Sequence, residues 1–189
     1  MTAIKTLNLT KKFKDKTAVK NLNLEIKENE LFSLLGVNGA GKTTTIKMLS
    51  CLIKPTDGDA YIFDKSIVKD DYDIKQFINV SPQETAVAPN LTVEENLQLI
   101  AGIYGNNKEA SRKKVSNIMN SFSLNEVAKD RANKLSGGYQ RRLSIAMALI
   151  SEPKLLFLDE PTLGLDVLAR RELWKIIKKL KQNITIILT

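Results

Sequence analysis

Residues 36–43 read Gly-Val-Asn-Gly-Ala-Gly-Lys-Thr, between a short apolar segment at 30–35 and a run of helical character at 42–52. Nothing else in the chain restricts the fold as strongly. Gly36, Gly39 and Gly41 let a backbone curl tightly without Cβ clashes. A curl between a strand and a helix turns the amides of Asn38, Gly39, Ala40, Gly41, Lys42, Thr43 and Thr44 toward one point at a helix N-terminus, where phosphate is held. Lys42 adds a compact cation for β- and γ-phosphates, and the Thr43 hydroxyl suits Mg²⁺. The strand before and the helix after are the context that separates this pattern from an ordinary turn.

Two later segments extend the chemistry. Residues 155–160 read Leu-Leu-Phe-Leu-Asp-Glu. A continuously apolar run of this length predicts a parallel strand buried on both faces. Asp159 at its end can hold a metal-bound water, and Glu160 can polarise an attacking one. Residues 135–140 read Leu-Ser-Gly-Gly-Tyr-Gln. Ser136 predicts an N-cap, and Gly137 and Gly138 leave bare amides in the first helical turn, a second anion site. One chain does not need two such sites for one phosphate chain. A two-fold dimer, each copy covering the ligand held by its partner, resolves the duplication.

Composition narrows the class. The 189 residues suit one core with a small appended subdomain, and 43% hydrophobic against 26% charged residues excludes disorder. A single cysteine, Cys51, rules out an intramolecular disulfide and fits a reducing compartment. Neither a signal peptide nor a run of about 18 apolar residues is visible, so work at a membrane would need another chain to span it. The net charge of +8 is spread along the sequence without a basic and aromatic RNA-binding pattern, so it reads as solvated surface and no specific nucleic-acid partner is expected.

Alternation at Ile4, Leu7, Leu9 and again at Val19, Leu22, Leu24, Ile26 predicts N-terminal strands around a turn at Lys14, Asp15 and Lys16. Pro55-Thr56-Asp57-Gly58 reads as a turn, with strands at 60–63 and 77–80. From 84 to 133 the pattern is helical. Thr92 and Glu95 form a capping box, followed by the stripe Val93, Leu97, Ile100, Ala101 and Tyr104. Gly105-Asn106-Asn107 breaks it, and Val115, Ile118, Met119 and Phe122 make a second stripe. A third helix carries Tyr139, Leu143, Ala146, Met147 and Ile150 on one face and stops before Pro153. A helix at 169–181 and a strand at 184–188 close the chain. Residues 84–133 therefore read as a helical insert between two halves of an α/β core, 1–83 and 134–189.

In this order the motifs resemble ABC-type ATPase subunits over essentially the whole length. The resemblance implies an α/β P-loop NTPase (RecA-like) core with an N-terminal antiparallel β subdomain and a helical insert, and ATP and Mg²⁺ as cofactors. Residues 36–43 match the family's Walker A loop and 155–160 its Walker B strand with the catalytic glutamate Glu160. Gln83 matches the Q-loop glutamine, which in the family touches Mg²⁺ and senses the membrane partner. Residues 135–140, with Ser136, Gly137, Gly138 and Gln140, match the signature that acts on the partner's nucleotide. Leu163-Gly164-Leu165-Asp166 matches the D-loop, which crosses the dimer interface, and Phe13 stands where the family stacks an aromatic ring on adenine. Lys42, Gln83 and Glu160 are the expected catalytic set, and Thr43, Gln83 and Asp159 the expected metal set.

The family's switch histidine would fall beyond Thr189, and the chain contains no histidine. The expectation is a truncated fragment that binds nucleotide but hydrolyses it poorly. Three functions share these motifs: the motor of a membrane transporter, a DNA-organising ATPase and a paired-cassette translation factor. The short helices between Gln83 and Leu135 leave no room for the long coiled coil of the DNA-handling class. One Walker A loop lies within these 189 residues, and a second cassette beyond Thr189 stays open. The expected function is therefore the transporter motor, paired with a second cassette and a polytopic permease at the cytoplasmic face of a membrane. The sequence around Gln83 and at 90–97 looks like single-cassette subunits of drug-resistance exporters.

Overall fold

The computed structural model describes residues 1–105 and 107–189; of the break read at Gly105, Asn106 and Asn107, Asn106 lies outside the described residues. The chain divides into two compact units, one of Met1–Val80, Pro153–Asp159 and Lys181–Thr189, the other of Ser81–Glu152 and Glu160–Leu180.

The first unit carries two sheets. Strands β1 (Thr2–Phe13), β2 (Lys16–Leu22), β3 (Glu25–Lys27), β5 (Asp57–Ile62) and β6 (Lys65–Ser66) form an antiparallel sheet in the order β2-β1-β5-β6, with β3 also paired to β1. Strands β4 (Leu31–Ser33), β7 (Ile78–Ser81), β8 (Leu155–Leu158) and β9 (Thr185–Leu188) form the second sheet in the order β4-β9-β8-β7. There β9 runs parallel to both β4 and β8. Helix α1 (Lys42–Leu49) turns Ile46, Met48 and Leu49 into a core with Ile4 and Ile62 of the first sheet and Leu155, Phe157 and Ile187 of the second. Each such side chain contributes about 1.5–3 kcal/mol on burial. All four residues of β8 are fully buried, as its unbroken apolar run predicts.

Helix α1 is shorter than the periodicity predicts. Ser50 caps it and Cys51 turns left-handed at φ 57°. The predicted turn at 55–58 is instead partly strand, because β5 begins at Asp57. Gly58 sits there at φ +74°, where a Cβ would lie 2.4 Å from the Asn8 carbonyl oxygen. Helix α2 (Asp71–Lys75) and strand β6 were not expected; both are too short to show a period.

The second unit is helical: α3 (Val93–Ile103), α4 (Lys108–Ser121), α5 (Gly137–Leu149) and α6 (Val167–Leu180), with 3-10 turns at Asn125–Val127 and Ala132–Lys134. The capping box at Thr92 and Glu95 forms with both of its hydrogen bonds. Val93, Leu97 and Ala101 are buried as the stripe predicts, but Tyr104 closes α3 half-exposed. Buried Asn96 binds the backbone of Ala88 in both directions and donates to the Leu91 and Thr92 carbonyls, fixing the loop before α3. Helix α5 is buried around most of its circumference, Arg141 and Arg142 included, so its one-face reading is too narrow. Helix α6 begins two residues before the expected start. There Asp166 Oδ1 accepts from the Ala169 amide at 2.9 Å. Among the described residues no helix is long and apolar enough to cross a membrane.

Candidate functional site

In the first unit, the glycine loop leaves β4 and enters α1 through Gly41, whose φ of 88° is left-handed. A Cβ there would lie 2.3 Å from the Ala18 carbonyl oxygen and 3.1 Å from Val19 Cγ2, so only glycine fits. Gly39 is also left-handed, at φ +84°, in open space. The Ala40 amide donates to the Val37 carbonyl at 3.1 Å, closing the turn inside the loop. No side chain caps the start of α1. That leaves positive dipole and exposed amides facing outward, and 36–40 are exposed throughout.

Lys42 lies back over the loop, its Nζ donating to the Gly36 and Val37 carbonyls at 2.8 and 3.1 Å. Behind the loop, Asp159 at the end of β8 is only 6% exposed. Its Oδ1 accepts from the Thr43 hydroxyl at 3.3 Å and from the Thr189 hydroxyl at 2.6 Å. A serine-type hydroxyl and one carboxylate side by side are hard oxygen donors, the set from which Mg²⁺ takes one or two protein ligands beside phosphate oxygens and water. Thr189 was not anticipated; its contact joins strand ends distant in sequence, and no local spacing announces it. Phe13 stands half-exposed at the end of β1, with Lys11 Nζ over its ring at 5.2 Å from the centre, so one face of the ring is engaged by a cation.

The second unit holds the other predicted residues. Ser136 is the N-cap of α5, and its hydroxyl accepts from the Tyr139 amide at 3.5 Å. Gly137 opens on empty space, whereas a Cβ on Gly138 would lie 2.9 Å from Ala169 Cβ on α6. The Gln140 side-chain amide donates to the Ala132 and Leu135 carbonyls at 3.0 and 3.3 Å, bracing the turn in front of the helix. Glu160 adopts φ 45°, an uncommon conformation for a residue with a Cβ and one that concentrates at functional positions. Gln83 is exposed just beyond β7. Arg141 is 4% exposed and was missed by the sequence reading. Its Nε donates to the Pro161 carbonyl at 3.0 Å, and its Nη1 to the carbonyls of Pro82 and, at 3.4 Å, Gln83. Arg142 pairs with Glu172 of α6 and lies 5.1 Å from the Tyr139 ring centre.

The family model described as ABC transporter matches residues 19–163. The chain belongs to this family. It is 39% identical, over all of its length, to a probable multidrug ABC transporter ATP-binding protein, YbhF, from Escherichia coli (strain K12), and spans 33% of that relative. Among solved structures it is similar to cbiO1 from Clostridium perfringens, described as part of the ABC transporter complex cbiONQ. That match has a TM-score of 0.91 and 28% identity, covering 99% of this chain and 77% of that one. It is also similar to the ATP-binding cassette MJ0796, solved as a dimer in a post-hydrolysis state bound to ADP and Pi. There the TM-score is 0.84 and the identity 32%, covering 98% of this chain and 87% of that one. The fold is the α/β P-loop cassette of ABC ATPases, with its antiparallel β sheet and helical insert.

Proposed function

We propose that this chain is the ATP-binding and ATP-hydrolysing motor of a transporter, working on a separate membrane-spanning partner in the export direction. The observation that carries the reading is the uncapped, left-handed glycine loop with Thr43 hydrogen-bonded to buried Asp159. The backbone amides of 38–44, with Gly36, Gly39, Ala40 and Gly41 shaping the curl, hold the phosphates, and Asn38 and Thr44 border them. Lys42 exchanges its loop carbonyls for the β- and γ-phosphate oxygens. Phe13 offers a ring face to adenine. Mg²⁺, when bound with the nucleotide, supplies charge neutralisation at the phosphates. Thr43, Gln83 and Asp159 are the residues that hold it or its waters. Glu160 takes a proton from the attacking water as general base.

The signature residues Ser136, Gly137, Gly138 and Gln140 act in trans, on the nucleotide of a second cassette in a head-to-tail dimer, with Asp166 at the crossing. Residues 84–133 serve as a helical subdomain to an ATP-binding core of 1–83 and 134–189, and Gln83 reports to a polytopic permease at the cytoplasmic face of the membrane. ATP binds the closed dimer more tightly than the open one, and that difference moves the permease.

The test uses the full-length natural protein. Millimolar MgATP is expected to raise its melting temperature, and Lys42→Ala to remove the shift. Purification from membranes in mild detergent is expected to bring down a polytopic membrane protein. No shift with MgATP overturns the nucleotide part, and recovery only with ribosomes or nucleic acid overturns the transport part.

A further inference from the structure

We propose that Arg141 is a positioning residue for hydrolysis, holding the backbone on either side of the expected catalytic groups in one fixed arrangement. This inference deepens the motor reading and rests on it. Three segments meet the one guanidinium: Pro82 and Gln83 on the stretch after β7, Pro161 one residue past Glu160, and α5 itself, which carries Arg141. The carbonyls of Pro82, Gln83 and Pro161 are backbone acceptors, so these contacts fix where the chain runs on both stretches. The guanidinium is planar, with donors in a rigid fork, and a lysine in its place can reach only one of the two segments at a time. The buried contact between Ser81 Oγ and Ser144 Oγ, at 3.3 Å, anchors the same stretch to α5 from a second point. The helix that begins with the signature glycines therefore ends its first turns as the bracket for Gln83 and Glu160. A displacement of the signature residues is transmitted to both groups through Arg141.

A positioning role predicts a loss in turnover without a loss in binding. In the full-length protein with its membrane partner, Arg141→Met is expected to lower kcat roughly ten- to a hundredfold, since small misplacements of reacting groups cost that much. MgATP affinity should stay within about twofold, and Arg141→Lys should recover part of the rate. Combined with Gln83→Ala, Arg141→Met should cost less than the product of the two separate losses, because both act through the same backbone. Full turnover in Arg141→Met, or fully multiplicative losses, overturns the proposal. Hydrogen exchange in Arg141→Lys covers the case in which the methionine variant does not fold. Amides at 83–84 and 160–163 should exchange faster while those inside α5 stay protected, and unchanged exchange at both stretches overturns the role. Wild-type protein without Glu160-dependent hydrolysis would remove the motor reading and the hydrolytic role of Arg141 with it, while the exchange result would still decide whether Arg141 holds the two stretches.

Discussion

Helix α1 starts after Gly41 and helix α5 starts at Gly137, and the backbones of the two starts differ. Gly41 is left-handed, pressed against the Ala18 carbonyl, and followed by a helix with no side-chain cap. Gly137 and Gly138 are absent from the left-handed residues and stand inside a turn capped by Ser136. At α1 glycine is required by conformation; the loop cannot be traced with any other residue. At α5 glycine is not required by conformation. Gly138 is small because Ala169 faces it, and Gly137 is small although nothing faces it. Under the proposed function, a helix start that gives up helix propensity where space is open trades stability for access to its amides.

The largest test of this contrast is Gly41→Ala. A left-handed alanine costs about 1–2 kcal/mol by itself, and the contact with the Ala18 carbonyl must also be relieved by moving backbone. We expect a total loss of about 2–4 kcal/mol in denaturant unfolding, together with loss of MgATP binding. A variant of wild-type stability would break the argument that geometry dictates this glycine.

Gly138→Ala and Gly137→Ala sharpen it. Gly138→Ala should cost about 1–2 kcal/mol as α6 yields to the added methyl. Gly137→Ala should leave stability unchanged or raise it by up to about 1 kcal/mol, while slowing ATP turnover of the assembled protein. A Gly137→Ala protein with undiminished turnover would show that the open space serves no ligand. Ser136→Ala follows at about 0.5 kcal/mol, the low end for an N-cap, because its hydrogen bond is 3.5 Å long.

The same contrast explains what was legible in the sequence. Residues 36–43 and 155–160 announce themselves because local chemistry decides them: glycine where φ is positive, unbroken apolar residues where both faces are covered. The capping box at Thr92 and Glu95 is legible for the same reason. Gly58 was misread as a turn glycine. Its left-handed conformation serves a close approach to β1 within a strand, a tertiary demand that local turn chemistry imitates. Arg141, Asn96 and Thr189 were invisible for a different reason. Each is polar and satisfied inside the protein by groups that no fixed spacing predicts, such as the carbonyls of Pro82 and Pro161. Arginine beside arginine at 141 and 142 reads as a solvated pair, whereas both are buried, one bracketing backbone and the other paired with Glu172.

The smallest effect belongs to a third helix start, which serves as the control. Helix α3 has its N-terminal amides covered by side chains on both sides. Thr92 accepts from the Glu95 amide, and Glu95 accepts from the Thr92 amide at 2.8 Å. The hydrogen bonds from Thr92 hold the Glu95 carboxyl below its ordinary value. A carboxyl lowered on folding contributes stability that is present above its unfolded pKa and is lost as pH falls through the folded value. Wild-type protein should therefore melt slightly above Glu95→Gln at pH 7, and the gap should close on acidification below the usual glutamate range. The side chain is exposed, so the gap should be small and should narrow further in high salt. The start of α1 has no acidic residue in its first turn, so its contribution to stability has no such acid limb of its own. A gap that persists unchanged into acid would mean that the charge of Glu95 does not complete the box, and that α3 is held by packing of Val93, Leu97 and Ala101 alone.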